Sequence, residues 1–308
     1  MPDLNTSKST QVRYCLGIDG GGTKTALLLT DINGAVIRHT TAAACNPMDV
    51  GFASAETILR EAIDRICEDI PKSEISMFAG IAGGGASAPR GQLHDFFSDF
   101  GFGVFDNDSD NINILEAGLS NRDGISVIMG TGICVQAKYE NTLHRVGGWG
   151  YFVDRGGSGF NLGRDALDAY YSAYDGSGAE TLLSALIEEK TQCSPEALVS
   201  QIYAGGKTFV ASFAPLVTEA ARHGDRMALS ILDQNAYCIA RLIFAAEKHL
   251  PAEITAVPVV LCGGLSHETE IVSRLEHFLS SHPRLKQECL TREPVEGAAI
   301  RAKKLGGY

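Results

Sequence analysis

Hydrophobic positions near the start of the chain predict two strands around a glycine turn. Leu16 and Ile18 lead into the turn, and residues 26–29 form an apolar run typical of a buried strand. The turn itself reads Asp19-Gly-Gly-Gly-Thr-Lys24. A third strand is predicted through Ile37, so the pattern favours an antiparallel meander at the start of the fold.

The clearest helical pattern covers residues 54–70. Its apolar residues recur every three or four positions in an unbroken stripe: Ala55, Ile58, Leu59, Ala62, Ile63, Ile66, Cys67 and Ile70. We expect Ser54 to cap this helix and Pro71 to stop it. The pattern then predicts a strand at 75–82, a helix at 90–99, a strand at 102–105 and a helix at 110–121.

The order of elements partly repeats in the second half of the chain. Strands are predicted at 125–129, 134–139 and 144–146, followed by a mostly helical stretch over 161–250. A buried strand at 257–262, a helix near 267–280, a strand near 287–290 and a helix from 294 to 305 complete the chain. The sequence therefore predicts an α/β protein with two domains of similar start, the second with a helical insert.

Length, composition and charge narrow the possible functions. A chain of 308 residues with 44% apolar and 20% charged residues suits one large domain or two ordinary ones. No apolar run reaches the roughly 20 residues of a membrane span, and residues 1–12 lack a signal-peptide core, so we expect a cytoplasmic protein without a membrane partner. The net charge of −11 argues against nucleic acid as a partner.

Eight cysteines are scattered along the chain without a C-x-x-C pair. Most of them lie in apolar contexts, which predicts reduced thiols in the core. A zinc ribbon or an iron–sulfur ligand set is not expected.

The first glycine turn has the residue types of a phosphate site. Gly20, Gly21 and Gly22 let the backbone approach an anion, and their N–H groups, with the Thr23 hydroxyl, can donate to phosphate oxygens. Lys24 adds a positive charge. Asp19, at the end of the strand, can hold Mg²⁺ through a water molecule beside that phosphate. The alternative is an ordinary glycine hairpin, since neither G-x-x-x-x-G-K-[ST] nor G-x-G-x-x-G is present.

Four further stretches carry candidate chemistry at predicted strand ends. Asn46, which precedes Pro47, is a candidate binding residue, and the alternative is that it only forms an Asx turn. Asp106, Asp108 and Asp110 include a candidate general base, although one of them can simply cap a helix.

The other two stretches lie in the second half. The loop Gly147–Ser158 holds the single tryptophan, Trp149, which suits either a sugar site or a buried aromatic. Gly263 and Gly264 follow a Val/Leu strand and can admit an adenine or ribose, although Gly-Gly alone is weak evidence. Gly84, in the glycine run 83–85, is a further candidate for the sugar site.

Two glycine turns, Gly20–Thr23 and Gly130-Thr131-Gly132, together resemble the phosphate motifs of the sugar kinase, Hsp70 and actin superfamily. That resemblance implies two ribonuclease-H-like (actin-like ATPase) domains with ATP bound in a central cleft. On this basis we expect the first domain to cover 12–118 with the C-terminal helix 294–306. The second domain is expected to cover 119–293, with the insert at 161–250.

The motif set narrows the resemblance to the N-acetylglucosamine kinases among the BadF/BadG/BcrA/BcrD-type ATPases. The matching segments are Gly-Ile-Asp-Gly-Gly-Gly-Thr-Lys-Thr, Cys-Asn-Pro, Gly-Thr-Gly, Gly-Gly-Trp-Gly and Glu296-Gly-Ala-Ala-Ile-Arg-Ala.

This resemblance implies ATP with Mg²⁺ as cofactors, an amino-sugar substrate phosphorylated at its 6-hydroxyl, and a homodimer. It places Asn46, Gly148, Trp149 and Asp154 at the sugar. An acidic residue about twenty positions before Thr131 is the base in that family, which selects Asp110. The chain departs from the family where Asp154-Arg155-Gly156-Gly157-Ser158 stands in place of the more usual Gly-Asp-Glu-Gly-Ser, so the acidic residue comes one position earlier and the Glu is missing.

Two other functions remain open on the sequence alone. One is the ATPase activator of a radical dehydratase or reductase, which would need cysteine ligands for a cluster. The other is a non-catalytic sugar sensor, which on this fold usually carries a helix-turn-helix extension. The sequence also leaves open which hexosamine is bound.

Overall fold

The computed structural model describes residues 11–140 and 142–308 of the chain. The chain divides into two compact units, here called the first unit (residues up to Asn121 with Thr291–Tyr308) and the second unit (Arg122–Leu290). Each unit contains one five-stranded mixed sheet with helices on it, so the prediction of an α/β fold is confirmed. No helix within the described ranges is both long and apolar enough to cross a membrane.

The strands are β1 (Tyr14–Gly20), β2 (Lys24–Asp31), β3 (Val36–Ala43), β4 (Ile75–Ile81), β5 (Val104–Asp108), β6 (Gly124–Met129), β7 (Ile133–Tyr139), β8 (Thr142–Val146), β9 (Val257–Cys262) and β10 (Leu285–Cys289). The helices are α1 (Pro47–Val50), α2 (Phe52–Cys67), α3 (Ser87–Ser98), α4 (Asp110–Gly118), α5 (Gly159–Tyr174), α6 (Leu182–Thr191), α7 (Pro195–Ala211), α8 (Ala214–Arg222), α9 (Arg226–Glu247), α10 (Thr269–Leu279) and α11 (Pro294–Leu305).

The first sheet has the strand order β3-β2-β1-β4-β5. β1 pairs antiparallel with β2 but parallel with β4, and β4 pairs parallel with β5. The carboxyl ends of β1, β4 and β5 therefore lie at one edge of the sheet, where parallel sheets gather ligands. In this register Asp19 lies opposite Gly80, and Gly80 lies opposite Asp108.

Both faces of the first sheet are covered. Leu16, Ile18 and Leu27 pack on one face against apolar residues of α2, such as Leu59 and Ile63. The opposite face is covered by α4 and α11, whose buried residues pack against β1, β2 and β4: Ile112, Val295, Ala298, Ala299 and Ala302. Burial on both faces explains why 26–29 is continuously apolar rather than alternating.

The second sheet repeats the arrangement of the first. Its order is β10-β9-β6-β7-β8. If the strands are numbered within each unit, both sheets have the order 3-2-1-4-5, which the second shows when it is written in reverse. β6 pairs antiparallel with β7 and parallel with β9. One hydrophobic core joins this sheet to the helices α5–α10. It includes Val127 of β6, Leu162 of α5 and Ile243 of α9.

Several predicted boundaries differ from the structure. Helix α2 begins at Phe52, behind Gly51 with φ of 81°, so Ser54 is not its cap. The third strand continues to Ala43 rather than ending near Ile37. Two further features had no sequence prediction: the short helix α1, and a kink inside α7 at Gly206 with φ of 55° and ψ of −149°.

The cysteines are all free thiols. Cys15, Cys45, Cys67 and Cys262 are buried, in keeping with core thiols, whereas Cys289 is exposed. Burial raises the pKa of Cys15, Cys45 and Cys67 to about 11, because the thiolate loses its hydration. These three side chains therefore stay protonated at neutral pH.

Candidate active site

Asp19 stands at the carboxyl end of β1 and is held there by Asn113 of α4. The Asn113 amide donates to Asp19 Oδ1 at 2.7 Å, to the Ile18 carbonyl at 3.3 Å and to the Gly80 carbonyl at 3.1 Å. Burial raises the pKa of Asp19, and the Asn113 hydrogen bond and Lys24 oppose that shift. Asn113 is fully buried, so it fixes the position of a carboxylate at the sheet edge.

Gly80 makes room for that contact. A Cβ at Gly80 would lie 2.2 Å from Asn113 Oδ1 and 2.4 Å from its nitrogen. Any larger residue there would displace the amide, since real Cβ atoms essentially never approach that closely. The glycine on β4 and the asparagine on α4 therefore act as a pair.

Asp110 is the first residue of α4 and is only partly exposed. Burial, and then the nearby charge of Asp19, raises the pKa of Asp110 to about 6. Backbone N–H groups of its own turn act in the opposite direction. Asp110 is thus mostly ionised at neutral pH, yet it is a stronger base than an ordinary carboxylate.

Asp106 and Asp108 lie on β5 and have a different environment. Arg90 of α3 reaches both, with nitrogen–oxygen distances of 3.3 Å to Asp106 and 3.4 Å to Asp108. The two carboxylates also accept backbone N–H groups, from Asn107 and Ser109 respectively. No such cation pairs with Asp110 in the part of the chain that the structure describes. Arg90 therefore distinguishes the two aspartates of β5 from Asp110.

The first glycine turn closes the β1–β2 hairpin, with the Gly21 N–H donating to the Lys24 carbonyl at 2.9 Å. A Cβ at Gly20 would lie 2.5 Å from Cys45 Sγ, so close packing against Cys45, two residues after β3, favours a glycine at this position. Gly22, Thr23 and Lys24 are exposed. The Asp49 carboxylate lies beside Gly22, 3.5 Å from where a Cβ would be. The turn is thus an accessible loop with the Asp49 carboxylate beside it, in addition to Asp19 just before it.

Asn46 is the N-cap of α1, with its Oδ1 accepting the Met48 N–H at 3.0 Å. Its amide nitrogen donates to Asp49 Oδ2 at 2.6 Å. These contacts agree with the alternative drawn from the sequence, in which an asparagine before a proline starts an Asx turn. Asn46 also touches the glycine loop after β4, because a Cβ at Gly83 would lie 2.6 Å from Asn46 Oδ1. Gly84 follows within that loop, so Asn46 and Gly84 belong to one part of the first unit.

The second glycine turn, Gly130–Gly132, joins β6 to β7 and meets the start of α5. The Gly130 and Thr131 carbonyls accept the N–H groups of Gly159 and Phe160, at 2.7 and 3.1 Å. Thr131 and Gly132 are exposed. The turn thus satisfies two of the otherwise unpaired N–H groups at the helix start and leaves the Thr131 hydroxyl accessible.

Gly263 follows β9, next to the second turn, and has φ of 92°. A Cβ here would lie 2.6 Å from the Met129 carbonyl oxygen. Close packing against the end of β6 is therefore reason enough for this glycine. At Gly264 a Cβ would meet no atom within 4 Å, so that position is open.

The loop after β8 presents Trp149 to solvent, with 66% of the residue exposed. This finding excludes a buried aromatic as the explanation of Trp149. The Arg145 guanidinium stacks on the indole ring at 4.4 Å and donates to the Gly147 and Gly148 carbonyls. Asp154 accepts the N–H groups of Trp149 and Gly150, at 3.2 and 2.9 Å. Arg145 and Asp154 together shape the loop.

Glycines in this loop adopt conformations that other residues rarely take. Gly147 and Gly148 have φ of 71° and 73°, and a Cβ at Gly148 would lie 3.0 Å from Cys134 Sγ. The glycines therefore set the path of the backbone that presents Trp149.

Residues 16–302 match the BadF/BadG/BcrA/BcrD ATPase family. The chain belongs to this family. The resemblance inferred from its motifs is confirmed, because the match covers nearly the whole chain.

Named relatives of this ATPase family member include kinases of amino sugars. The chain is 27% identical to an N-acetylmuramic acid/N-acetylglucosamine kinase of Clostridium acetobutylicum, over 95% of this chain and 99% of that protein. It is 28% identical to an N-acetyl-D-glucosamine kinase of Dictyostelium discoideum, over 93% and 97% of the two chains.

Solved structures share the fold of this ATPase family member. A protein of Chromobacterium violaceum proposed to be an N-acetylglucosamine kinase superposes with a TM-score of 0.78, at 24% identity, over 95% of this chain and 99% of that one. A ROK family glucokinase of Streptomyces griseus gives 0.57 at 16% identity, over 96% and 100%.

The residues around Asp19 fit a hydrated magnesium ion. Burial raises the pKa of both Asp19 and Asp110, the charge of Asp19 raises that of Asp110 further, and a bound cation would oppose both shifts. Within the described ranges no group of three His, Cys, Asp or Glu side chains forms a metal site. Hydrated Mg²⁺ does not need one, since one or two carboxylates with substrate phosphates suffice.

Three residues of the site were not candidates on the sequence. Asn113 fixes Asp19, Asp49 lies beside the first glycine turn, and Arg145 stacks on Trp149. Asn113 lies in a segment read only as a helix, and nothing local marks its contact with a strand 94 positions earlier. Arg145 lies in the short strand β8. It reaches Trp149 because the positive-φ glycines Gly147 and Gly148 bend the following loop back towards this strand.

Proposed function

We propose that this protein is an ATP-dependent kinase that phosphorylates N-acetylglucosamine, or a closely related amino sugar, at its 6-hydroxyl. The observation that carries the proposal is Asp110. It is the carboxylate at the start of α4, with a pKa raised to about 6, whereas Asp106 and Asp108 of β5 are paired with Arg90. The named relatives are kinases of such sugars, and this chain matches almost their whole length, which supports the same reaction.

Asp110 acts as the general base in this proposal. A sugar hydroxyl is a poor nucleophile, and a carboxylate in hydrogen-bond reach can accept its proton as the oxygen attacks the γ-phosphate. Asn113 holds Asp19 beside this carboxylate. Asp19 would hold Mg²⁺ through water, and the ion supplies charge neutralisation at the transferred phosphate.

The glycine turns bind the phosphates of ATP in this proposal. In the first unit, the turn of Gly20, Gly21, Gly22, Thr23 and Lys24 contributes its backbone, the Thr23 hydroxyl and the positive charge of Lys24, while the Gly21 N–H closes the turn on the Lys24 carbonyl. In the second unit, Gly130, Thr131 and Gly132 contribute the corresponding donors. Gly263 and Gly264 lie beside that turn, and we assign them to the nucleoside.

The sugar contacts come from two segments. Asn46 and Gly84 lie together in the first unit. Gly148, Trp149 and Asp154 belong to the loop after β8, where the exposed indole offers an apolar ring to a sugar face. The contacts of Asp154 with backbone N–H groups support a role in positioning Trp149 as well.

An ADP-release assay over a panel of hexoses tests the proposal. The panel contains N-acetylglucosamine, glucosamine, N-acetylmuramate and glucose, with Mg²⁺ present throughout. We expect stimulation well above the sugar-free rate with at least one amino sugar, and a phosphate on oxygen 6 of the product by NMR. A rate that no sugar increases would contradict the kinase function.

The proposal further includes a cytoplasmic homodimer, as the family resemblance implies. Light scattering after size-exclusion chromatography measures the mass directly. A mass of 32.8 kDa, that of one chain, would reject the dimer without affecting the kinase reaction.

A further inference from the structure

A cavity of about 620 Å³ lies in the first unit beside the C-terminal end of α4. Three basic side chains, Arg292, Lys303 and Lys304, line it together with Ser120, Asn121 and Tyr308. Asp110 begins α4 and Ser120 follows its end, so one helix of nine residues separates the cavity from the proposed base. None of the lining residues has a role in the proposed kinase reaction.

Among the residues that the structure describes, carboxylates neutralise only one of the three basic groups. Lys304 Nζ lies 2.5 Å from Glu116 Oε2. Arg292 donates to two neutral oxygens, the Ala117 carbonyl and the Ser120 hydroxyl, each at 3.4 Å. Lys303 has no carboxylate within salt-bridge distance among residues 11–140 and 142–308. The cavity therefore has an excess of positive charge in a chain whose net charge is −11.

Ser120 has an unusual backbone conformation for its residue type. Its φ is 51°, in the left-handed region that glycine normally occupies after a helix end. A residue other than glycine held in such a backbone conformation costs stability, and such residues are often found at functional positions. Here the Ser120 hydroxyl accepts a hydrogen bond from Arg292 Nη1 at 3.4 Å, which holds the guanidinium at the cavity.

We propose that this cavity binds a phosphate group, either free or as the ester of a small sugar. Two uncompensated cations suit a phosphate dianion, since charge-assisted hydrogen bonds to phosphate are strong and guanidinium presents paired donors. The exposed Asn121 amide adds a neutral donor. The cavity volume leaves room for a sugar beyond the phosphate.

The cavity also adjoins both places where the chain passes from one unit to the other. Ser120 and Asn121 come just before the passage at Arg122, and Arg292 comes just after the passage at Thr291. A phosphate bound here therefore contacts the segments next to both connections. This position does not depend on the proposed kinase reaction.

Isothermal titration calorimetry at constant ionic strength tests the proposal. Inorganic phosphate and N-acetylglucosamine 6-phosphate are titrated separately into the wild type and into the double variant Arg292→Gln/Lys303→Gln. We expect wild-type binding to at least one probe and a weakening of about tenfold or more in the double variant. The probe that binds more tightly shows whether free or esterified phosphate is preferred.

A charge-matched control excludes a general electrostatic effect. Lys248→Gln/Lys286→Gln removes two positive charges from exposed positions of the second unit. We expect this control to bind as the wild type does. The single variants Arg292→Gln and Lys303→Gln, each expected to bind several-fold more weakly, keep the test decisive if the double variant does not fold.

Two results would overturn the proposal. One is an absence of binding to the wild type by both probes. The other is equal affinity in the wild type and the Arg292→Gln/Lys303→Gln variant, which would place any bound phosphate elsewhere, such as the proposed active site.

Discussion

Asp110 reduces the stability of the folded protein at neutral pH. Its folded-state pKa of about 6 lies above the value of about 3.9 for an unfolded chain, so folding favours the protonated form. The stability contributed by that preference is complete below pH 4 and is lost as the pH rises through 6. The ionised carboxylate therefore costs about 1–3 kcal/mol at pH 7, allowing for its partial exposure.

The variant Asp110→Asn should therefore lose activity and gain stability. It cannot accept the hydroxyl proton, so kcat should fall by about 10²–10⁴-fold. The free energy of unfolding at pH 7, from urea denaturation, should rise by about 1–3 kcal/mol, and the gain should disappear at pH 4. In the wild type, kcat/KM should fall below about pH 6, as Asp110 becomes protonated.

The control for this experiment is Asp108→Asn. It removes a carboxylate that Arg90 and the Ser109 N–H already stabilise, so it should keep turnover within a few-fold and should not gain stability. If Asp108→Asn abolishes turnover and Asp110→Asn does not, the assignment of the base is wrong. The kinase reaction would still stand in that case.

The sequence supplied the candidates around Asp110 but not their environment. Its place at a strand end, and its distance from Thr131 in the chain, could be seen in the residue order. The pairing of Arg90 with Asp106 and Asp108, and the amide of Asn113, could not, because those contacts join elements far apart in the chain. For Trp149 the sequence left two readings open, and only its exposure decided against the buried aromatic.

Among the helices, α4 and α11 pack unusually closely. A Cβ at Gly297 of α11 would lie 1.9 Å from the Asn113 carbonyl oxygen and 2.6 Å from the Ala117 nitrogen. Both are backbone atoms of α4, which cannot rotate away as a side chain can. Gly297 therefore allows the two helices to approach at the turn that carries Asn113.

We expect Gly297→Ala to destabilise the protein by about 1–3 kcal/mol, because the helices must separate to admit the methyl group. Urea denaturation measures the change. Turnover should also fall, since the shift moves Asn113 and with it Asp19.

Gly91→Ala is the matched control. Gly91 lies in the middle of α3, and a Cβ there would meet no atom within 4 Å. The same substitution should therefore stabilise the protein by about 0.5–1 kcal/mol, through helix propensity alone. Equal effects at both positions would show that the contact of α4 with α11 is looser than described.

The sequence predicts the helices and strands whose apolar residues form a regular pattern. It does not predict the features that depend on tertiary contacts or on one backbone conformation. The stripe of α2 and the apolar runs of β2 and β9 could be recognised in the sequence because burial leaves a regular pattern. The end of β3 was misplaced, since its residues after Ile37 are mostly polar or small and carry no clear period. The kink at Gly206 depends on one backbone conformation, which the apolar pattern of α7 does not reveal.

Across the whole molecule, one strand order is used twice, and the last helix lies on the first sheet. Residues Val295, Ala298, Ala299 and Ala302 of α11 are buried against β1, β2 and their neighbours. The hydrophobic face of the first unit is therefore completed by residues from the far end of the chain.

A chain that stops at Leu290 should leave the first unit unable to fold. Removing α11 exposes apolar faces of β1 and β2, whereas the second unit keeps its own core. Hydrogen exchange read by mass spectrometry should show loss of protection in β1, β2 and β4 with protection retained in β6 and β9.

The control truncation removes only residues 306–308, beyond the end of α11. It deletes the hydrogen bond from the Tyr308 hydroxyl to the Val12 carbonyl and the backbone hydrogen bonds of residues 306–308 to the last turn of α11, and it should preserve protection throughout. Full protection of β1 and β2 in the chain that stops at Leu290 would show that α11 is dispensable for the first sheet.

The position of α11 also determines how the protein must be made. The ribosome releases β1 to β5 first, and then adds about 170 residues of the second unit before it reaches the covering helix. At about 5–20 residues per second, the first sheet waits on the order of 10–30 s with the part of its apolar face that α11 covers open to water. During translation, therefore, the apolar surface of the first sheet stays exposed to chaperones and to aggregation until α11 has been synthesised.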